Sequence, residues 1–102
     1  MILSLEKIIG QKITGVTFYE NKDISISFDD GEHLMIYSRL IFESGKDHQS
    51  ILGDKIVDIH ETENEITLIL NNQTVRIDKK LATNQEYLKL ILPNNSISSL
   101  NL

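Results

Sequence analysis

The chain has no cysteine, no tryptophan, one proline and five glycines among its 102 residues. Without cysteine there is no disulfide, no thiolate nucleophile and no thiolate metal ligand, a usage that fits a reducing compartment. The glycines are too scattered to cradle a phosphate: Gly31 and Gly45 stand alone, and no glycine-rich loop precedes a lysine. No apolar run approaches the roughly 18 residues that a membrane helix needs. The opening MILSLEKIIGQKI lacks a basic leader, a long apolar segment and a small-residue cleavage site. A soluble, cytoplasmic protein is therefore expected. Positive charge is also short, with ten Lys and Arg against fifteen Asp and Glu and a net charge of −5. The bases are dispersed, and only Lys79 and Lys80 are adjacent. That balance argues against nucleic acid or an anionic membrane as the main ligand, because both want a basic face.

What the chain does have is a repeat. IGQKITGVTFYENKDISISFDDGEHLMI, ending at Ile36, is echoed by LGDKIVDIHETENEITLILNNQTVRI, ending at Ile77. Gly10 and Gly53 are 43 positions apart, Ile24 and Ile66 are 42 apart, and Ile36 and Ile77 are 41 apart. Each step in that offset falls at an expected turn, where a deletion disturbs no strand register. A repeated supersecondary unit accounts for the pattern.

Within each unit the local signals agree. Ser4 and Asp47 are placed to cap short helical turns that stop at Gly10 and Gly53, and Leu5, Ile8, Ile9, Ile51 and Leu52 are expected to pack on the sheet. The strand that follows is out of phase, with Ile13 and Val16 in one unit and Ile56 and Ile59 in the other. A bulge near Gly15 and near Asp58 reconciles both. Ile24, Ile26 and Phe28 alternate cleanly, as do Ile66, Leu68 and Leu70. Asp29-Asp30-Gly31 reads as a hairpin turn, with Asn71-Asn72 in its place in the second unit. Further strands are expected at Leu34–Ile36, at 39–42, at 74–78 and at 86–92, ended by Pro93. The tail from Asn94 to Leu102 reads as mobile, with a late edge strand as the alternative. The expected fold is all-β: two similar antiparallel β-meander repeats packed as a sandwich or partly open barrel, with short helical turns before each repeat. One domain spans 1–102, with repeats at about 4–46 and 47–92 and a tail at 93–102.

Chemistry-bearing motifs are scarce. Asp29, Asp30, Glu32 and His33 hold metal-ligating atoms, but neighbours on a hairpin diverge. His60-Glu61 lacks the helix and second histidine of a zinc motif. His33, His48 and His60 fall at unrelated places in the repeat. No nucleophile elbow exists and no convergent acid–base pair is indicated, so neither an enzyme nor a cofactor or metal is expected. Charge is the better pointer. The first hairpin of each unit has an acidic tip: Glu20 and Asp23, interrupted by Lys22, and then Glu61, Glu63 and Glu65 with Asp58 nearby. Tyr19 and Tyr37 are candidate aromatic anchors, and His48 in the connection is a further contact. An acidic surface steers a basic protein toward it and speeds encounter.

The twofold use of Leu/Ile-Gly-x-Lys-Ile, an alternating strand, a tight hairpin and a second alternating strand resembles small two-repeat bacterial β domains. So does Asn84-Gln85-Glu86-Tyr87 leading into 86–92, the last expected strand. The resemblance covers Ser4 to Leu92. Small acidic proteins of this kind are similar to the immunity proteins of bacterial toxin systems, including contact-dependent growth inhibition. That resemblance implies a protein partner, a basic toxin domain such as a nuclease, whose active site is blocked without catalysis. A monomer in a heterodimer is the implied assembly. It carries over no catalytic residue, and Asn71-Asn72-Gln73 departs from the Asp-Gly turn of the pattern. Two other readings stand beside it. One is an interaction or scaffold module that self-associates through strand edges at Arg39 to Glu43 or Glu86 to Leu92. The other is a small-ligand binder or enzyme with a pocket between the halves.

Overall fold

A computed structural model describes residues 5–20, 23–79, 86–92 and 97–101. Among the described residues nine strands follow one another: β1 (Ile13–Phe18), β2 (Ile24–Phe28), β3 (His33–Ile36), β4 (Arg39–Ile41), β5 (Ile56–Glu61), β6 (Glu65–Leu70), β7 (Thr74–Asp78), β8 (Glu86–Ile91) and β9 (Ile97–Asn101). They form two antiparallel sheets, ordered β1-β2-β3-β8-β9 and β4-β7-β6-β5. The result is a two-layer sandwich and not a closed barrel. Its single core is rich in isoleucine, whose branched β-carbon suits a pleated, half-buried surface. Ile13, Ile24, Ile26 and Ile36 from the first unit meet Ile56, Ile66, Leu68 and Ile77 from the second.

Both expected bulges are present. Pairing between β1 and β2 slips between Ile13 and Gly15, and pairing between β5 and β6 slips between Ile56 and Asp58. Both offset steps have a local cause too. Tyr19 N–H bonds Asp23 C=O across three residues, whereas Thr62 N–H bonds Glu65 C=O across two. At the next hairpin, Phe28 N–H reaches Glu32 C=O across three residues and Leu70 N–H reaches Gln73 C=O across two. The departure at Asn71-Asn72 is therefore a shorter turn that keeps its function. Asp29 Oδ1 accepts Lys12 N–H at 3.2 Å and Asn71 Oδ1 accepts Lys55 N–H at 2.9 Å. The backbone N–H groups of Asp29 and Asn71 reach the carbonyls of those same two lysines. Either residue type supplies the side-chain oxygen.

The two units meet about a pseudo-twofold axis. An antiparallel bridge joins Lys12 to Lys55, two equivalent positions. Gly10 N–H donates to Ile56 C=O at 2.7 Å, and its counterpart Gly53 N–H donates to Ile13 C=O at 2.9 Å. Ile13 N–H donates to Asp54 C=O at 2.8 Å and Ile56 N–H to Gln11 C=O at 3.0 Å. Gly10 and Gly53 take φ of 89° and 86°, a left-handed conformation that side chains rarely accept. They end the two 3-10 turns, Leu5–Ile8 and His48–Ile51, and each turn packs on the first strand of the other unit. Asp47 caps the second turn, its Oδ1 accepting from Gln49 and Ser50 N–H. The matching cap expected at Ser4 lies outside the described residues, as do Lys22, Lys80, Pro93, Asn84 and Gln85.

Exchange of the fourth strands completes the architecture. β4 follows β3 in the chain but pairs with β7, and β8 follows β7 but pairs with β3. Each unit thus lends its fourth strand to the other unit's sheet. Ser38, buried in the β3–β4 link, anchors the crossing by donating its hydroxyl to Asp78 C=O. The structure corrects three expectations. Residues 97–101 are not a mobile tail: β9 pairs antiparallel with β8. In consequence 86–92 is neither the last strand nor a sheet edge. Finally, Leu5, Ile8 and Ile51 are buried as expected, but Ile9 and Leu52 are exposed. Both sit one residue before a left-handed glycine, where the chain is leaving the 3-10 turn.

Candidate functional site

The acidic tip of the second unit is built by β5, its turn and the start of β6. Its charges are largely matched. Lys79 Nζ lies 2.6 Å from Glu61 Oε2 and also donates to Thr62 C=O. The Lys79 side chain is only 13% exposed, so this contact is tucked into the hairpin. Arg76 reaches Glu65 at 3.5 Å. Asp58 sits in the bulge, where Oδ1 accepts Ile59 N–H at 2.8 Å and Oδ2 lies 3.2 Å from His60 Nε2. The backbone N–H first, and His60 second, hold the Asp58 carboxyl below the ordinary aspartate range. Glu63 is exposed at the turn, and no ion pair reaches it among the described residues. The fragment His60-Glu61 lies on a strand.

The tip of the first unit is different. Tyr19, Glu20 and Asp23 line an open cleft of about 510 Å³ together with Met35 from β3. Met35 pairs with Ser25 on β2 and with Lys89 on β8, so the cleft opens on the outer face of the five-stranded sheet. Tyr19 is 43% exposed and Phe18, just before it, is 53% exposed. The His48 ring packs on Phe18 with centroids 5.5 Å apart, tilted by 38°. Four of the sequence-derived candidates, Tyr19, Glu20, Asp23 and His48, are thereby gathered at one end of the molecule.

The two tips do not combine. β1 and β5 start from the antiparallel Lys12–Lys55 bridge and run away from it in opposite directions. Glu20 and Asp23 therefore lie at the other end from Glu61, Glu63 and Glu65. Tyr37 is not a free anchor: it is half-buried, with Lys89 Nζ 5.6 Å from its ring centroid. Phe18 is the exposed aromatic residue at this end that sequence reasoning missed, because strand phase alone assigns it to the inner face beside Val16. The repeat carried the missing signal. The equivalent of Phe18 is Glu61, and a glutamate at that position marks it as outside the core.

A second feature is legible only by comparing the units. Gln73 is buried, donating to Ser50 C=O and Asp54 Oδ2 while its Oε1 accepts from Ser50 Oγ. The same place in the first unit is held by Glu32, which is 4% exposed. Its Oε1 is buried with no hydrogen-bond partner among the described residues. Burial foremost, and then the hydrogen bond and charge of Asp30, raise its carboxyl from 4.5 to about 7, against a smaller pull from Lys7. No family model matches the chain, and neither does any curated protein or solved structure.

Proposed function

We propose that the protein is a non-catalytic binder of a basic protein domain, the part that the resemblance to toxin immunity proteins implies. The observation that carries this reading is the end of the molecule built by β1 and its turn. Tyr19, Glu20 and Asp23 line an open cleft with Met35, and next to it in the chain the exposed Phe18 ring packs on His48. Interfaces draw most of their energy from a few aromatic and arginine contacts set in apolar surroundings. Here the tyrosine face and the carboxylates suit the guanidinium or ammonium of a partner, and the thioether suits its alkyl stem. At the opposite tip Lys79 and Arg76 engage Glu61 and Glu65. That tip serves as a long-range field that steers a cationic partner inward.

Titration calorimetry against a basic nuclease-type toxin domain, at low and high salt, tests the reading. Expected are tight binding, weakening with salt, and loss of the partner's activity. Tyr19→Ala and Phe18→Ala should each weaken binding by roughly tenfold or more, about 1.4 kcal/mol, while leaving the melting temperature unchanged. Glu63→Ala should change the association rate more than the dissociation rate. Affinity indifferent to Phe18, Tyr19 and Glu20 would place the interface elsewhere and defeat the assignment.

A further inference from the structure

A two-sheet sandwich has four edges, and three of them are visibly blunted. The β1 and β5 edges are joined just before the strands begin, at Lys12 and Lys55, and each strand carries a bulge and is touched by the other unit's 3-10 turn. β4 is three residues long and carries Arg39. Just past it, the Glu43 carboxylate accepts the Thr74 N–H of β7 at 2.6 Å and the Thr74 hydroxyl at 3.2 Å, occupying the ladder position β4 does not reach. Short edge strands, charges and covering segments are the usual ways of preventing strand pairing between chains. The fourth edge, β9, has none of them among the described residues. Its five residues, ISSLN, include no charge and no proline, in a chain that is 25% charged. β9 is also the strand without a counterpart, for the pseudo-twofold relates four strands to four and leaves it over.

We infer that the outer edge of β9 pairs antiparallel with β9 of a second copy, joining two five-stranded sheets into one of ten. Antiparallel self-pairing needs only a twofold axis, and it satisfies the outward backbone groups of both strands reciprocally. An uncharged strand sets no like charges opposite each other at that axis. A ladder of five residues buries less than the roughly 1,200 Å² of a standard stable interface, so the dimer forms reversibly with concentration. β9 and β1 bound opposite sides of the same sheet. Dimerisation therefore leaves the Phe18–Tyr19 end open and presents two such ends per assembly, independently of what they bind.

Sedimentation velocity on the full chain, from micromolar to millimolar concentration, should show a reversible monomer–dimer equilibrium. Ser99→Lys, at the centre of the strand, should raise the dimer dissociation constant at least tenfold through the two facing ammonium groups. Ser44→Lys, the same change in an exposed connection, should leave it as it was. Circular dichroism melts establish that the variants are folded. Hydrogen exchange on the unaltered protein gives a check free of mutation: amides of 97–101 should gain protection as concentration rises. A protein that stays monomeric throughout, a dimer unaffected by Ser99→Lys, or new protection confined to other strands would each overturn the inference.

Discussion

Glu32 and Gln73 stand at the same place in the two repeats, with nearly the same shape and one proton between them. Gln73 is fully satisfied, while Glu32 has a buried oxygen with no hydrogen-bond partner among the described residues. A neutral Glu32 fits this site and a charged one does not, which is why burial lifts its pKa from 4.5 to about 7. The folded state therefore holds this proton more tightly than the unfolded chain. The contribution is complete below pH 4.5 and is lost as the pH rises toward 7. The loss amounts to about 3 kcal/mol at most. Urea denaturation at pH 5 and pH 8 should show the unaltered protein losing stability over that interval. Glu32→Gln should stay nearly level and be the more stable of the two at pH 8. If both lose stability in parallel, the pH dependence belongs to other groups.

Among elements, the link between 3-10 turn and first strand is repeated most faithfully. Gly10 and Gly53 both have positive φ, and a β-carbon at either would meet nothing within 4 Å. A substitution there is costly through backbone strain alone. Gly10→Ala and Gly53→Ala should each destabilise by about 1–2 kcal/mol, and by similar amounts, because their surroundings are equivalent. Chemical denaturation of both variants checks this, and a large inequality would mean that the two junctions differ energetically. Hairpin turns, bulges and glycine stops were all legible in the sequence, because each is set by residues within a few positions of one another. β4 was legible as a strand but not in its partner. Its three residues carry too little pattern to specify a neighbour.

At the scale of the whole molecule, strand exchange makes the halves interdependent. Residues 1–46 contain β1 to β4, but β4 has no β7 to join; residues 47–102 have the converse defect. Each fragment also lacks the partner strand across the Lys12–Lys55 bridge. Expressed separately at low concentration, neither fragment should show a cooperative melt, and mixing them should restore one. Circular dichroism melts before and after mixing measure this. A fragment that melts cooperatively as a monomer would mean that one unit buries enough apolar surface by itself. The fixed body also decides what the surface offers. It sends the two acidic tips to opposite ends and draws His48 from the connection onto Phe18.

The amino-acid order by itself determined the unit, its repetition, its bulges and turns, and the inward residues of every central strand. Those properties follow from alternation and from backbone preferences acting over short stretches of chain. Only the tertiary structure decided that the fourth strands cross over and that residues 97–101 extend a sheet. It alone buried a hairpin glutamate and brought His48 onto Phe18. Each of those depends on which surface arrives from the other half of the chain, and distant contact of that kind leaves no periodic trace in either segment.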